Sequence, residues 1–280
     1  MHPMLVFDRD AVRLHRDRAA RTVSQVADIL RDAAERLLDR LDDTSRHFTE
    51  ALDIGGRGVI APLLRQRGLR VVSCDLSPAM AALNGGACVA ADEEFLPFAA
   101  GSFDLIIASL SLHWVNDLPG ALLQLRQTLR PGGLLLASLP ALGSLSELRS
   151  ALTEAESAIA GGASPRVSPF PELRDCAGLL QRAGFALPVA DLEDIRLLYA
   201  DPFALLSELR AAGEANATRE RSRIPPSRLL FPAALARLPQ QNGRTAVTLR
   251  MAVMTGWAPE PSAQAGPDTT RPAPGDRQHR

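Results

Sequence analysis

A set of acids and glycines in the first third of the chain has the residue types and spacing that bind an adenosine-bearing molecule. Asp53, Gly55, Gly56 and Gly58 lie in the run ALDIGGRGVI, Asp75 closes RVVSCD, and Asp92 and Glu93 open DEEFLPF. A glycine turn between a buried strand and a helix presents backbone N–H groups and the positive helix end to a ligand. Gly55, Gly56 and Gly58 supply the sharp turn and allow close approach to the main chain. Asp75 stands where a carboxylate accepts both ribose hydroxyls. Asp92 is placed to accept the adenine amino group, with Glu93, Phe95 and Leu96 walling the ring. The loop reads DIGGRG and not GxGxxG, and an acid precedes it, so the spacing favours S-adenosylmethionine over a dinucleotide. Singly, each signal has an ordinary structural reading: Asp75 as a strand-end cap, the glycines as a common turn. Their order, followed by FDLIIAS and LRPGG, points to a cofactor.

The loop Ser109-Leu110-Ser111-Leu112-His113-Trp114 is expected where a substrate meets the cofactor. His113 is the candidate catalytic base; the competing reading has it packed against the loop while Trp114 fills core volume. Asn116 and Asp117 read as a turn and helix N-cap, and Arg57 as a solvent-facing side chain. The histidines His2, His15, His47, His113 and His279 form no HxxxH pair, and Cys74, Cys88 and Cys176 form no CxxC. Neither a metal site nor a disulfide framework is therefore expected, and a reducing compartment fits.

Strands are expected at 51–54, 69–73, 88–91, 103–109, 134–138, 195–199 and 246–254, with helices between them over 59–67, 80–83, 118–129, 144–160, 171–183 and 202–213. Alternating strands and helices make βαβ units on one parallel sheet, whose most apolar strand, FDLIIAS, belongs at its centre. The fold class is α/β: a Rossmann-like, mostly parallel sheet of seven strands with an N-terminal helix and a helical insertion. A three- and four-residue apolar stripe predicts one helix across 12–41. The expected organisation is an N-terminal helical segment over 1–47, a cofactor-binding domain over 48–258 with the insertion within 142–244, and a disordered Pro/Gly/Ala-rich tail over 259–280.

The 280 residues, 46% of them hydrophobic, suffice for one substantial core. A formal net charge of -1 argues against nucleic-acid binding. All 31 Lys+Arg residues are arginine, a signature of a GC-rich bacterial genome. No apolar run approaches the roughly 20 residues of a membrane span. The N-terminus lacks the apolar core of a signal peptide. A bacterial cytoplasmic protein is expected, associated with the inner membrane only through a partner.

The segment ADEEFLPFAAGSFDLIIASLSLHWVNDLPGALLQLRQTLRPGG resembles the class I S-adenosylmethionine-dependent methyltransferases, and in particular the mitochondrial complex I assembly factor 5 family and its bacterial relatives. The resemblance takes in Phe7-Asp8-Arg9, SELRSALTEAE, SPRVSPF, LLQRAGF and Thr255-Gly256-Trp257, so it covers most of the chain to Trp257. The biotin-pathway malonyl carrier-protein methyltransferases are more distant relatives sharing the sheet. The resemblance implies a methyltransferase fold that acts on, or escorts, a subunit of respiratory NADH dehydrogenase. Three roles follow from it: methyl transfer, arginine hydroxylation, or non-catalytic assembly. It also implies Asp53, Gly55 and Gly58 for methionine contacts, Asp75 for ribose and Asp92 for adenine; Gly56, Glu93 and Ser109 complete the candidate cofactor-binding set. The family loop reads D-x-G-x-G-x-G, one residue longer than here, so the following helix must start earlier or the turn must tighten.

Overall fold

A computed structural model describes residues 5–260; the expected disordered tail over 259–280 lies, beyond Glu260, outside them. The N-terminal stripe folds as α1 (Arg9–Ala19), a 3₁₀ turn (Val23–Val26), α2 (Ala27–Leu38) and a second 3₁₀ turn (Asp39–Leu41), not as one helix. Asp8 caps the start of α1 by accepting from the Ala11 N–H. The break comes at Thr22, whose N–H and hydroxyl both turn back to the Ala19 carbonyl (2.8 and 3.3 Å). A Thr side chain competing for a backbone acceptor ends the helix there.

The body of the chain runs β1 (Glu50–Ile54), α3 (Ile60–Gln66), β2 (Arg70–Asp75), α4 (Pro78–Ala82), β3 (Cys88–Ala90), β4 (Phe103–Ser109), α5 (Leu118–Thr128) and β5 (Leu129–Pro140). Then follow α6 (Ser146–Ala160), α7 (Leu173–Arg182), β6 (Ala186–Tyr199), α8 (Pro202–Ala211), α9 (Leu230–Leu235), β7 (Gln240–Gln241) and β8 (Arg244–Trp257). The sheet order is β3-β2-β1-β4-β5-β8-β6, with the short β7 on β8. The first five strands pair in parallel, and β8 is antiparallel to both neighbours. This is the expected mostly parallel α/β sheet. Asp117 caps α5 through the Gly120 N–H at 2.9 Å, as its sequence position indicates.

β4 is buried on both faces. Leu105 and Ile107 join α2 and α3 residues such as Leu37 and Leu64 in one core, while Ile106 and Ala108 join Leu122 and Leu125 of α5 in the other. Period-two side-chain alternation assigns them. The last two long strands extend well past their expected bounds. Residues 186–194 of β6 carry Pro188 and three acids, which read as loop in sequence. The edge position tolerates them, with a register shift between Ala186 and Val189 absorbing the proline.

Candidate functional site

Because β1, β2, β3 and β4 are parallel, their C-terminal ends share one edge, where the chain order reverses between β1 and β4. That edge collects Asp53 and the glycine turn after β1, Asp75 at the end of β2, Asp92 and Glu93 after β3, and Ser109 at the end of β4. The turn takes up the missing residue by tightening. Gly55, Arg57 and Gly58 all have positive φ (65°, 49° and 79°), and α3 starts no earlier than expected. A side chain at Gly55 would put its Cβ 2.5 Å from Ser111 Cβ, and one at Gly56 would overlap the Asp53 carboxylate. Asp53 is fully buried, accepts from Ser73 Oγ at 3.4 Å and leaves Oδ1 without a partner. Burial pushes its carboxyl up to about 7.

Two arginines of α1, which no local sequence pattern marks, stand on these acids. Arg16 reaches from α1 into the edge, fully buried, with Nη1 3.0 Å from Glu93 Oε1 and 3.3 Å from Asp75 Oδ2. Its Nη2 donates to the Ser111 carbonyl at 3.3 Å, while Nε has no partner. Arg9, also on α1, holds both Asp92 oxygens (3.2 and 2.6 Å), pairs with Glu93, and donates to the Trp114 carbonyl at 3.1 Å. Burial raises the Asp75 carboxyl pKa, and the neighbouring Arg16 charge opposes that rise. Phe95 is 77% exposed and does not wall an adenine pocket in this conformation. The acids after β3 are drawn to α1, and the Phe95 ring is left outside.

Arg57 is buried and does not face solvent. Its Nη2 donates to the Leu110 carbonyl at 2.9 Å and pairs with Glu214. Glu214 also lies 2.8 Å from His113 Nε2 and accepts from Trp114 Nε1 at 2.8 Å. A carboxylate only accepts, so His113 carries its proton on Nε2, and Nδ1 is left without a partner. Burial works against the Glu214 charge, but His113 and Arg57 hold its carboxyl well below the usual range. Glu214 follows Gly213, some hundred positions from His113, in a stretch without motif or periodicity. No sequence signal could have found it. Arg57, Leu110, His113, Trp114 and Glu214 form one end of an apolar cavity of about 140 Å³.

Ser109 is buried at the end of β4. Among the described residues no group of three or more His, Cys, Asp or Glu side chains is placed to hold a metal ion. Among them, too, no helix is long and apolar enough to cross a membrane.

Comparison with known proteins shows the family and the fold. A family model described as a methyltransferase domain matches residues 22–188. The arginine-hydroxylase NDUFAF5, mitochondrial, of Danio rerio is 36% identical over 94% of this chain and 86% of its own. The malonyl-[acyl-carrier protein] O-methyltransferase of Halorhodospira halophila is 34% identical over 94% of this chain and 92% of its own. Among solved structures, the YcgJ protein of Bacillus subtilis superposes with a TM-score of 0.56 at 14% identity, covering 81% of this chain and all of that one.

Proposed function

The chain belongs to the class I S-adenosylmethionine-dependent methyltransferase family, and from that premise we propose that it modifies a protein-borne acceptor at the loop after β4. The observation that carries this reading is the convergence of the glycine turn, Asp75, Asp92 and Glu93 on one sheet edge. The donor set suits S-adenosylmethionine: a carboxylate at the end of β2 for the ribose diol, acids after β3 for the adenine amino group, and a side-chain-free turn for the methionine portion. Arg16 and Arg9 stand on those same carboxylates, so cofactor binding requires α1 to draw them back. When bound, the cofactor supplies a sulfonium methyl group for in-line displacement, a reaction governed by orientation and exclusion of water. His113, its Nε2 held by Glu214, offers Nδ1 to take the acceptor's proton.

The acceptor is proposed to be a subunit of respiratory NADH dehydrogenase undergoing assembly, met in the cytoplasm or at the inner membrane through that partner. Similarity to proteins named arginine hydroxylases favours a second reading, hydroxylation of an arginine on the same partner. Similarity to malonyl-[acyl-carrier protein] O-methyltransferases favours a carrier-protein carboxyl group. The test is calorimetric titration with S-adenosylmethionine and S-adenosylhomocysteine, on the native chain and on Asp75→Asn. Binding weakened by about tenfold or more in Asp75→Asn is expected, and equal binding would overturn the site. Mass spectrometry of the partner then separates a gained CH₂ from a gained oxygen atom.

A further inference from the structure

The apolar cavity behind the β4 loop meets the cofactor edge at Arg57 and Leu110 and runs away from it between α2, α6, α8 and the strands β6 and β8. Leu30, Leu145, Leu148, Phe170, Leu197 and Leu209 supply much of its wall. Four residues of fixed charge line it, and three of them stand in ion pairs within the protein. Arg57 is paired with Glu214. Arg166 Nε lies 3.0 Å from Glu156 Oε2 in a two-point contact. Glu208 accepts from the Tyr199 hydroxyl at 2.6 Å. A charged guest would have to shed its hydration among mostly apolar walls, and apart from Glu208, whose partner is the neutral Tyr199 hydroxyl, it would have to displace an ion pair to be answered.

We propose that this cavity binds a compact, uncharged, apolar group about the size of a benzene ring, the volume an apolar cavity of about 150 Å³ is known to accept. The polar atoms still lacking a partner along its wall are His113 Nδ1, Ser168 Oγ and Arg57 Nε; the first two suit a hydrogen bond to a neutral atom, and the third belongs to a guanidinium already paired with Glu214. As the substrate class of the site, the assignment rests on the reading of the β4 loop as the acceptor side. It differs from a guanidinium or a carboxylate entering the protein there.

Three probes of one shape and different charge test it on the full chain without cofactor: toluene, benzoate and benzamidinium. Binding is read by ligand-observed NMR and by the shift in melting temperature. Toluene is expected to bind and to stabilise the fold, with both ions weaker by about tenfold or more. Leu30→Phe and, separately, Leu148→Phe should fill the cavity and abolish toluene binding while retaining a cooperative unfolding transition. Tighter binding of either ion, toluene binding unchanged in both filled variants, or no binding by any probe would overturn the proposal. Because no cofactor is present, such a failure leaves the Asp75 titration unaffected, and a failed titration leaves this result standing.

Discussion

Asp53, next to last in β1, lies against Gly56 with one carboxylate oxygen unpartnered, and this arrangement ties stability to pH. Its carboxyl is raised from an ordinary 3.8 to about 7 by burial, so across that window the folded chain holds a proton the unfolded chain has released. This contribution is fully favourable below the unfolded value and is lost as pH rises through the folded one. Asp53→Asn should therefore gain stability relative to the native chain between about pH 4 and pH 8, on the order of 2–4 kcal/mol. Urea unfolding at both pH values checks the sign. Glu214 acts in the opposite sense: held below its ordinary 4.5, it stabilises above that value and the contribution is lost as pH falls. Glu214→Ala would leave Arg57 buried without its carboxylate, costing about 3–5 kcal/mol, measurable by the same unfolding. His113 and the glycine turn were legible as candidates because their residue types are rare or diagnostic. Glu214 was not, since one Glu among 32 Asp+Glu residues carries no mark of where its chain segment will fold.

At the scale of elements, α1 ties the fold to the proposed site through Arg16. Arg16→Gln should destabilise the chain, leaving Asp75 and Glu93 buried together without their shared cation. It should also tighten S-adenosylhomocysteine binding, by about tenfold for each 1.4 kcal/mol of ion pairing no longer displaced. Hydrogen exchange of the α1 amides should accelerate when the native chain is saturated with S-adenosylhomocysteine, and unchanged protection would show that α1 stays in place. The sequence pattern found the helical stripe but not its insertion into the cofactor edge, because amphipathic spacing reports which face is apolar and not where a buried arginine ends. Two late segments meet in a similar way: a Cβ at Gly256 of β8 would lie 2.9 Å from the Phe185 ring after α7. Gly256→Ala should therefore cost about 1–3 kcal/mol by overpacking, read as a lowered denaturation midpoint.

Across the whole molecule, a sheet cored on both faces makes β1, β4 and β5 the most protected strands. Their amides should exchange only at the global unfolding free energy, while the exposed edge of β6 exchanges earlier. The sequence by itself determined the sheet class, the positions of its first five strands along the chain and the strand ends that carry the candidate site residues. Apolar runs, glycine turns and strand-end acids are local signals, and parallel connections bring successive strand ends to the same side. Only the tertiary structure decided which cations answer the acids, that Arg57 turns inward to Glu214, and that the tightened turn opens onto an apolar cavity. Those outcomes depend on contacts between residues 59 to 157 positions apart. There the free energy of burying a charge selects a partner that no local pattern encodes.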